Sequence, residues 1–117
     1  MWGPLADALS RYLPDQREAF HLGFALADAK RLERMFLGAG FRDVRVMPET
    51  RHGTIASFDD YWAAVEAGTG QMPLVYLTLS ETQRAAVREE VSVALLPFMS
   101  EGRLEMSVEM LIGAGRA

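Results

Sequence analysis

Cysteine is absent from the 117 residues, which excludes a disulfide framework and removes thiolate as a zinc ligand or redox group. Histidine occurs only twice, at His21 and His52. With no cysteine beside them, no metal site is expected. Basic residues are in the minority, twelve against sixteen acidic ones, for a net charge of -4. That balance excludes the basic stripe by which nucleic acid is usually gripped. Long apolar runs are also missing, and none approaches the roughly 20 residues needed to cross a bilayer. No basic segment followed by an apolar one opens the chain, so a cytoplasmic location is expected, with neither membrane nor nucleic acid as partner. What the chain does have is apolar character in half its residues. Disorder is therefore not expected, and one small domain over 1–117 is.

Helical spacing begins with Leu5, Ala8, Leu9 and Tyr12, and Pro14 closes that segment. Phe20, His21, Leu22, Phe24 and Leu26 read as an apolar loop crossing a core. Asp28 can accept from the free amides of a first helical turn. The helix it opens places Leu32, Met35, Phe36 and Ala39 on one face, and Gly40 supplies a left-handed exit. Residues 42–47 then alternate polar and apolar as a strand, disturbed at Pro48 and resumed at Thr54 and Ile55. Ser57 with Asp60 has the spacing of a capping box, ahead of a helix bearing Phe58, Tyr61, Trp62 and Val65. Gly68-Thr69-Gly70 breaks it, and Pro73 to Leu79 read as a helical turn or two. Ser80 with Gln83 opens the longest helix, whose stripe runs Val87, Val91, Ala94, Leu95 and Phe98. Finally Leu104, Met106, Val108, Met110 and Ile112 alternate with Arg103, Glu105, Ser107 and Glu109.

The expected fold is therefore α+β, with two long antiparallel strands at about 42–55 and 103–114 and four or five helices. Two strands alone are marginal, and the last one is long, regular and free of proline, so its edge is adhesive. A homodimer through the edge of this C-terminal strand is expected to complete the sheet, because so short a chain covers little surface.

Several of these residues together carry a resemblance. Gly23-Phe24-Ala25-Leu26-Ala27-Asp28, Leu32, Ala39-Gly40-Phe41 and Asp43-Val44-Arg45-Val46 resemble a stretch of class I S-adenosylmethionine (SAM)-dependent methyltransferases, closest to the ubiquinone/menaquinone-biosynthesis type. In that family an apolar segment ending in Asp leads through a helix and an Ala-Gly-Phe turn into the sixth strand. Ser57 to Trp62 resembles the helix after that strand, Ser107 to Arg116 the closing antiparallel seventh strand, and Trp2-Gly3-Pro4 the residues after the fifth. The resemblance thus spans nearly the whole chain, as the C-terminal half of a Rossmann-like domain. It implies that the SAM-binding half, with its glycine-rich turn and ribose-binding acid, would precede Trp2. Gly68-Thr69-Gly70 and Gly113-Ala114-Gly115 do not replace that turn, the first joining two helices and the second following a strand with no helix after it. No cofactor is expected in this chain, SAM being that of the resembled full-length family.

The implied function is that of a methyltransferase-related partial domain, truncated and inactive alone. One alternative is a subunit of a split SAM-dependent methyltransferase, with a second chain carrying the SAM-binding half. Another is a small dimeric binding protein for a hydrophobic ligand. The residues that could border an acceptor pocket are His21, Phe24, Tyr61, Trp62 and Tyr76, aromatic walls suiting such sites. For Tyr61 and Trp62 a place in the core is the stronger expectation, and for His21 and His52 a surface or packing role. Trp2 is expected either in a dimer contact or frayed. No catalytic residue stands out, since methyl transfer from SAM depends mainly on positioning.

Overall fold

A computed structural model describes residues 2–117. Helices α1 (Gly3–Tyr12), α2 (Arg17–Leu22) and α3 (Ala29–Gly38) precede the first strand, β1 (Arg42–Ile55). Helices α4 (Phe58–Glu66), α5 (Gln71–Tyr76) and α6 (Glu81–Leu95) follow, then a short β2 (Met99–Ser100) and the closing β3 (Arg103–Arg116). The fold is α+β, with six helices among the described residues and one open antiparallel sheet of order β1-β3-β2.

The ends of these elements follow from their sequence. The Asp28 carboxylate accepts from the amides of Lys30 and Arg31 at 2.9 and 3.4 Å, opening α3. That helix closes in a Schellman turn. The Phe41 amide donates to the Phe36 carbonyl at 3.1 Å and the Gly40 amide to Leu37 at 3.0 Å, with Gly40 at φ +90°. The rings of Phe36 and Phe41 meet edge to face at 5.3 Å, which supplies the apolar contact of that motif. Ser80 and Gln83 form a full reciprocal capping box at 3.1 and 3.2 Å. Ser57 accepts from the Asp60 amide at 3.1 Å.

β1 covers the expected 42–55 and runs unbroken through Pro48, which pairs with Leu111. It is an edge strand, where a missing N–H costs least. Near its start, Asp43 at φ 51° accompanies a shift of register between Arg42 and Arg45.

The core is mainly helical. Leu5 and Leu9 of α1, Trp62 and Val65 of α4, Tyr76 of α5, and Val87, Val91 and Leu95 of α6 are buried, joined by Leu104 of β3. Trp2 packs on this core with its ring 5.6 Å from that of Tyr61, so it is not frayed.

Three expectations about burial are corrected. The apolar string from Phe20 to Leu26 does not cross a core: Phe20 alone is buried, on α2, while Leu22 is 71% exposed and Phe24 and Leu26 lie in surface turns. In α3 Leu32 and Phe36 are half-buried against the sheet, but Met35 and Ala39 face solvent. Ala94 of α6 is likewise exposed, as is Phe98, where the chain has left α6 at Leu95 for a 3-10 turn over Leu96–Phe98. Gly113 and Gly115 do not follow a strand; they lie inside β3.

The two faces of the sheet are covered at opposite ends. Directly opposed residues share a face, so Ile55 and Leu104, then Met47 and Ile112, lie on one side. Leu104 is buried there under the helical core, whereas Val108, Met110 and Ile112 are 40–43% exposed. On the other side, α3 lies over Gly113. The molecule is correspondingly extended, 51 × 36 × 21 Å.

Candidate functional site

Tyr61, Trp62 and Tyr76 come together, and they do so inside the core. Trp62 and Tyr76 meet edge to face at 5.3 Å, and Trp62 stacks on Phe58 at 5.7 Å. One oxygen organises the polar ends of this cluster. Glu66 Oε1 accepts from Trp62 Nε1 at 3.0 Å and from the Tyr76 hydroxyl at 3.0 Å. The first bond is fixed by helical spacing, since Trp62 and Glu66 stand four apart on α4. The second needs the turn at Gly68, φ +68°, and Gly70, φ +100°, which folds α5 back onto α4.

The electrostatics keep both tyrosines protonated. Burial pushes the Tyr61 phenol up to about 12. Tyr76 is raised as well, by burial first and then by its hydrogen bond and proximity to the Glu66 carboxylate, against smaller opposing effects of Trp62 and Arg84. Neither side chain can therefore serve as a base near neutral pH. The cluster is a rigid wall.

His21 and Phe24 lie elsewhere. His21 borders a small polar cleft of about 210 Å³ with Asp7, Ser10, Arg11 and Arg17. Arg11 there is already engaged by Glu90 at 2.5 Å, an ion pair that ties α1 to α6. Phe24 borders an open groove of about 600 Å³ that also takes in Leu26, Leu32, Phe36, Leu111 and Gly113, with the Glu109 carboxylate at its rim. The five proposed acceptor-pocket residues are thus divided among the core, a polar cleft and a groove, and share no cavity. His52 sits in β1 opposite Ser107, exposed. Asp59 is paired with Arg88 at 2.6 Å on the surface.

Two features went unread in the sequence. Glu66 had a signal, its spacing from Trp62. Leu111 had none, because it stands in the polar phase of β3, yet it floors the groove beside the outer edge of that strand.

The residues present do not fit SAM in the manner of the resembled family. Among the described residues, the connection from β1 into α4 is Ala56-Ser57, which offers no glycine turn for the ribose or the methionyl group, and β1 has an antiparallel neighbour. Gly68 and Gly70 stand between helices. No step of methyl transfer is therefore derived. Among the described residues, no three of His, Asp and Glu gather to hold a metal ion, and no helix is long and apolar enough to cross a membrane.

The fold defines a small α+β unit with an open three-stranded antiparallel sheet. No protein-family model, curated protein or solved structure matches the chain.

Proposed function

We propose that the chain is a methyltransferase-related partial domain, the outer rim of a class I SAM-dependent fold, which neither binds SAM nor transfers methyl groups alone. One observation carries this reading. A helix capped by Asp28 passes through Ala39-Gly40-Phe41 into β1, and β1 pairs antiparallel along its length with the closing strand β3, whose far edge is open. That is the order and orientation the resemblance implies for the sixth and seventh strands, with the rest of the sheet belonging on the open edge. In such a unit the aromatic wall around Trp62 supports the rim rather than touching a substrate.

Calorimetric titration of the chain with millimolar SAM tests the reading. No heat of binding is expected. Saturable binding at one site per chain would overturn it.

The hydrophobic-ligand alternative asked for a solvent-open pocket bounded by Phe24, Trp62 and Tyr76. Trp62 and Tyr76 are almost fully buried, so no observation favours that reading. A split enzyme would use the same open edge, and would be recognised by restored SAM binding on mixing with a donor-binding chain.

A further inference from the structure

β2 pairs only with Arg103 and Leu104 of β3. Among the described residues, no strand pairs with the outer edge of β3 from Glu105 onward. Beside that edge opens the groove of about 600 Å³ walled by Phe24, Leu26, Leu32 and Phe36. An exposed edge flanked by an apolar groove is the geometry of strand addition, in which backbone bonds hold the added strand and alternate side chains enter the groove.

We propose that the occupant is β3 of a second copy of this chain, paired antiparallel about a two-fold axis at Leu111. The proposal shares the open edge with the functional reading above, but stands or falls on different measurements. Surface area supports an occupant of this size. The chain exposes 7914 Å², whereas a compact monomer of its mass exposes about 6,300 Å². The excess exceeds the ~800 Å² that each partner gives to a standard interface.

Symmetry then restricts the register. Antiparallel neighbours related by a two-fold axis have that axis perpendicular to the sheet, so each face continues as the same face of the partner. An axis at Glu109 would set that carboxylate against its own mate, a destabilising pair. An axis at Met110 would set Glu109 against the partner's Leu111. An axis at Ile112 would set Val108 against the partner's Arg116. Of these four, the axis at Leu111 matches like with like along the free edge. Leu111 meets the partner's Leu111, Met110 the partner's Ile112, and Val108 the partner's Ala114, while Glu109 faces the partner's Gly113. The leucines meet where the grooves of the two copies adjoin, and the half-exposed Met110 and Ile112 cover each other on the opposite face.

The absence of native cysteine makes the register testable by disulfide capture. Directly opposed antiparallel residues have Cα atoms about 4.5–5.5 Å apart, within reach of a disulfide. Light scattering on the unmodified chain should give about twice 13.0 kDa. On air oxidation Leu111→Cys should become largely cross-linked, and Ser107→Cys, which faces glycine, should stay monomeric under denaturing conditions. Because Leu111 also contacts the groove, an equimolar mixture of Met110→Cys and Ile112→Cys supplies a second probe at exposed positions, and should give the mixed disulfide. A mass of one chain overturns the proposal, as does cross-linking of Ser107→Cys as readily as Leu111→Cys. A monomer that ignores SAM defeats the pairing and leaves the functional reading intact. A correctly registered dimer that binds SAM does the reverse.

Discussion

Gly113 of β3 lies under the ring of Phe36, so close that a Cβ on the glycine would come 2.7 Å from Cε2 and 3.0 Å from Cζ. The same ring meets that of Phe41 in the Schellman turn edge to face. Glycine here is what lets α3 rest on the sheet. Gly113→Ala is therefore expected to destabilise the fold by about 1–3 kcal/mol, the usual cost of overpacking. A Cβ on Gly38, in the last turn of α3, would meet nothing within 4 Å. Gly38→Ala should instead stabilise by about 0.5–1 kcal/mol through helix propensity. Urea unfolding of both variants checks the contrast, and equal effects of the same sign would refute the packing argument.

Glu66 satisfies two donors with one oxygen. Glu66→Ala leaves Trp62 Nε1 and the Tyr76 hydroxyl without that acceptor at the edge of the core, and an orphaned buried donor costs about 1–3 kcal/mol. Glu66→Gln keeps a carbonyl oxygen in place and should cost less than half as much. Near-ultraviolet circular dichroism of Trp62 should weaken in the alanine variant and persist in the glutamine one. If glutamine and alanine destabilise alike, the charge rather than the acceptor matters.

Much of this architecture was legible in the sequence, and the part that was not has a physical reason. Caps are local, so Asp28, Gly40, Ser57 and Ser80 announced four helix ends from a few residues each. Alternation likewise announced both long strands. What alternation cannot say is which part of a face is covered. Leu104 and Val108 stand in the same phase of β3, yet only Leu104 lies beneath the helical core. Burial there depends on where distant helices land. The string Phe20 to Leu26 misleads for the related reason that apolar composition does not fix burial. The groove was invisible because Leu111 interrupts a polar phase and Gly113 acts by having no side chain. The tie between Trp62 and Glu66 was readable on one helix, but its extension to Tyr76 crosses a glycine turn whose course no spacing rule gives.

The two strongest caps offer a comparison of local and global effects. Ser80→Ala removes one half of a capping box on α6, whose Val87, Val91 and Leu95 are core residues. Asp28→Ala removes the cap of α3, which has no fully buried residue. Each loss is worth about 1 kcal/mol. The first should lower the global unfolding midpoint. The second should appear chiefly as faster amide exchange in the first turn of α3, because that helix can fray while the helical core holds. Loss of protection throughout the molecule on Asp28→Ala would show instead that α3 and the core unfold as one unit.

Alkaline pH should unfold this protein through its tyrosines. Burial raises the Tyr61 phenol from 10.0 to about 12, and Tyr76 moves in the same direction. In the unfolded chain both phenols return to their ordinary value, so above it the unfolded state sheds protons that the folded state retains. The associated stability is complete below pH 10.0 and drains away as pH climbs toward 12. The urea midpoint should accordingly stay level with respect to these groups from neutral pH to about 10, then fall steeply. Tyr61→Phe deletes the larger of the two contributions. Its midpoint should decline less between 10.0 and 12. A variant curve parallel to that of the unmodified protein across that interval would mean that the Tyr61 phenol ionises as freely in the core as in water.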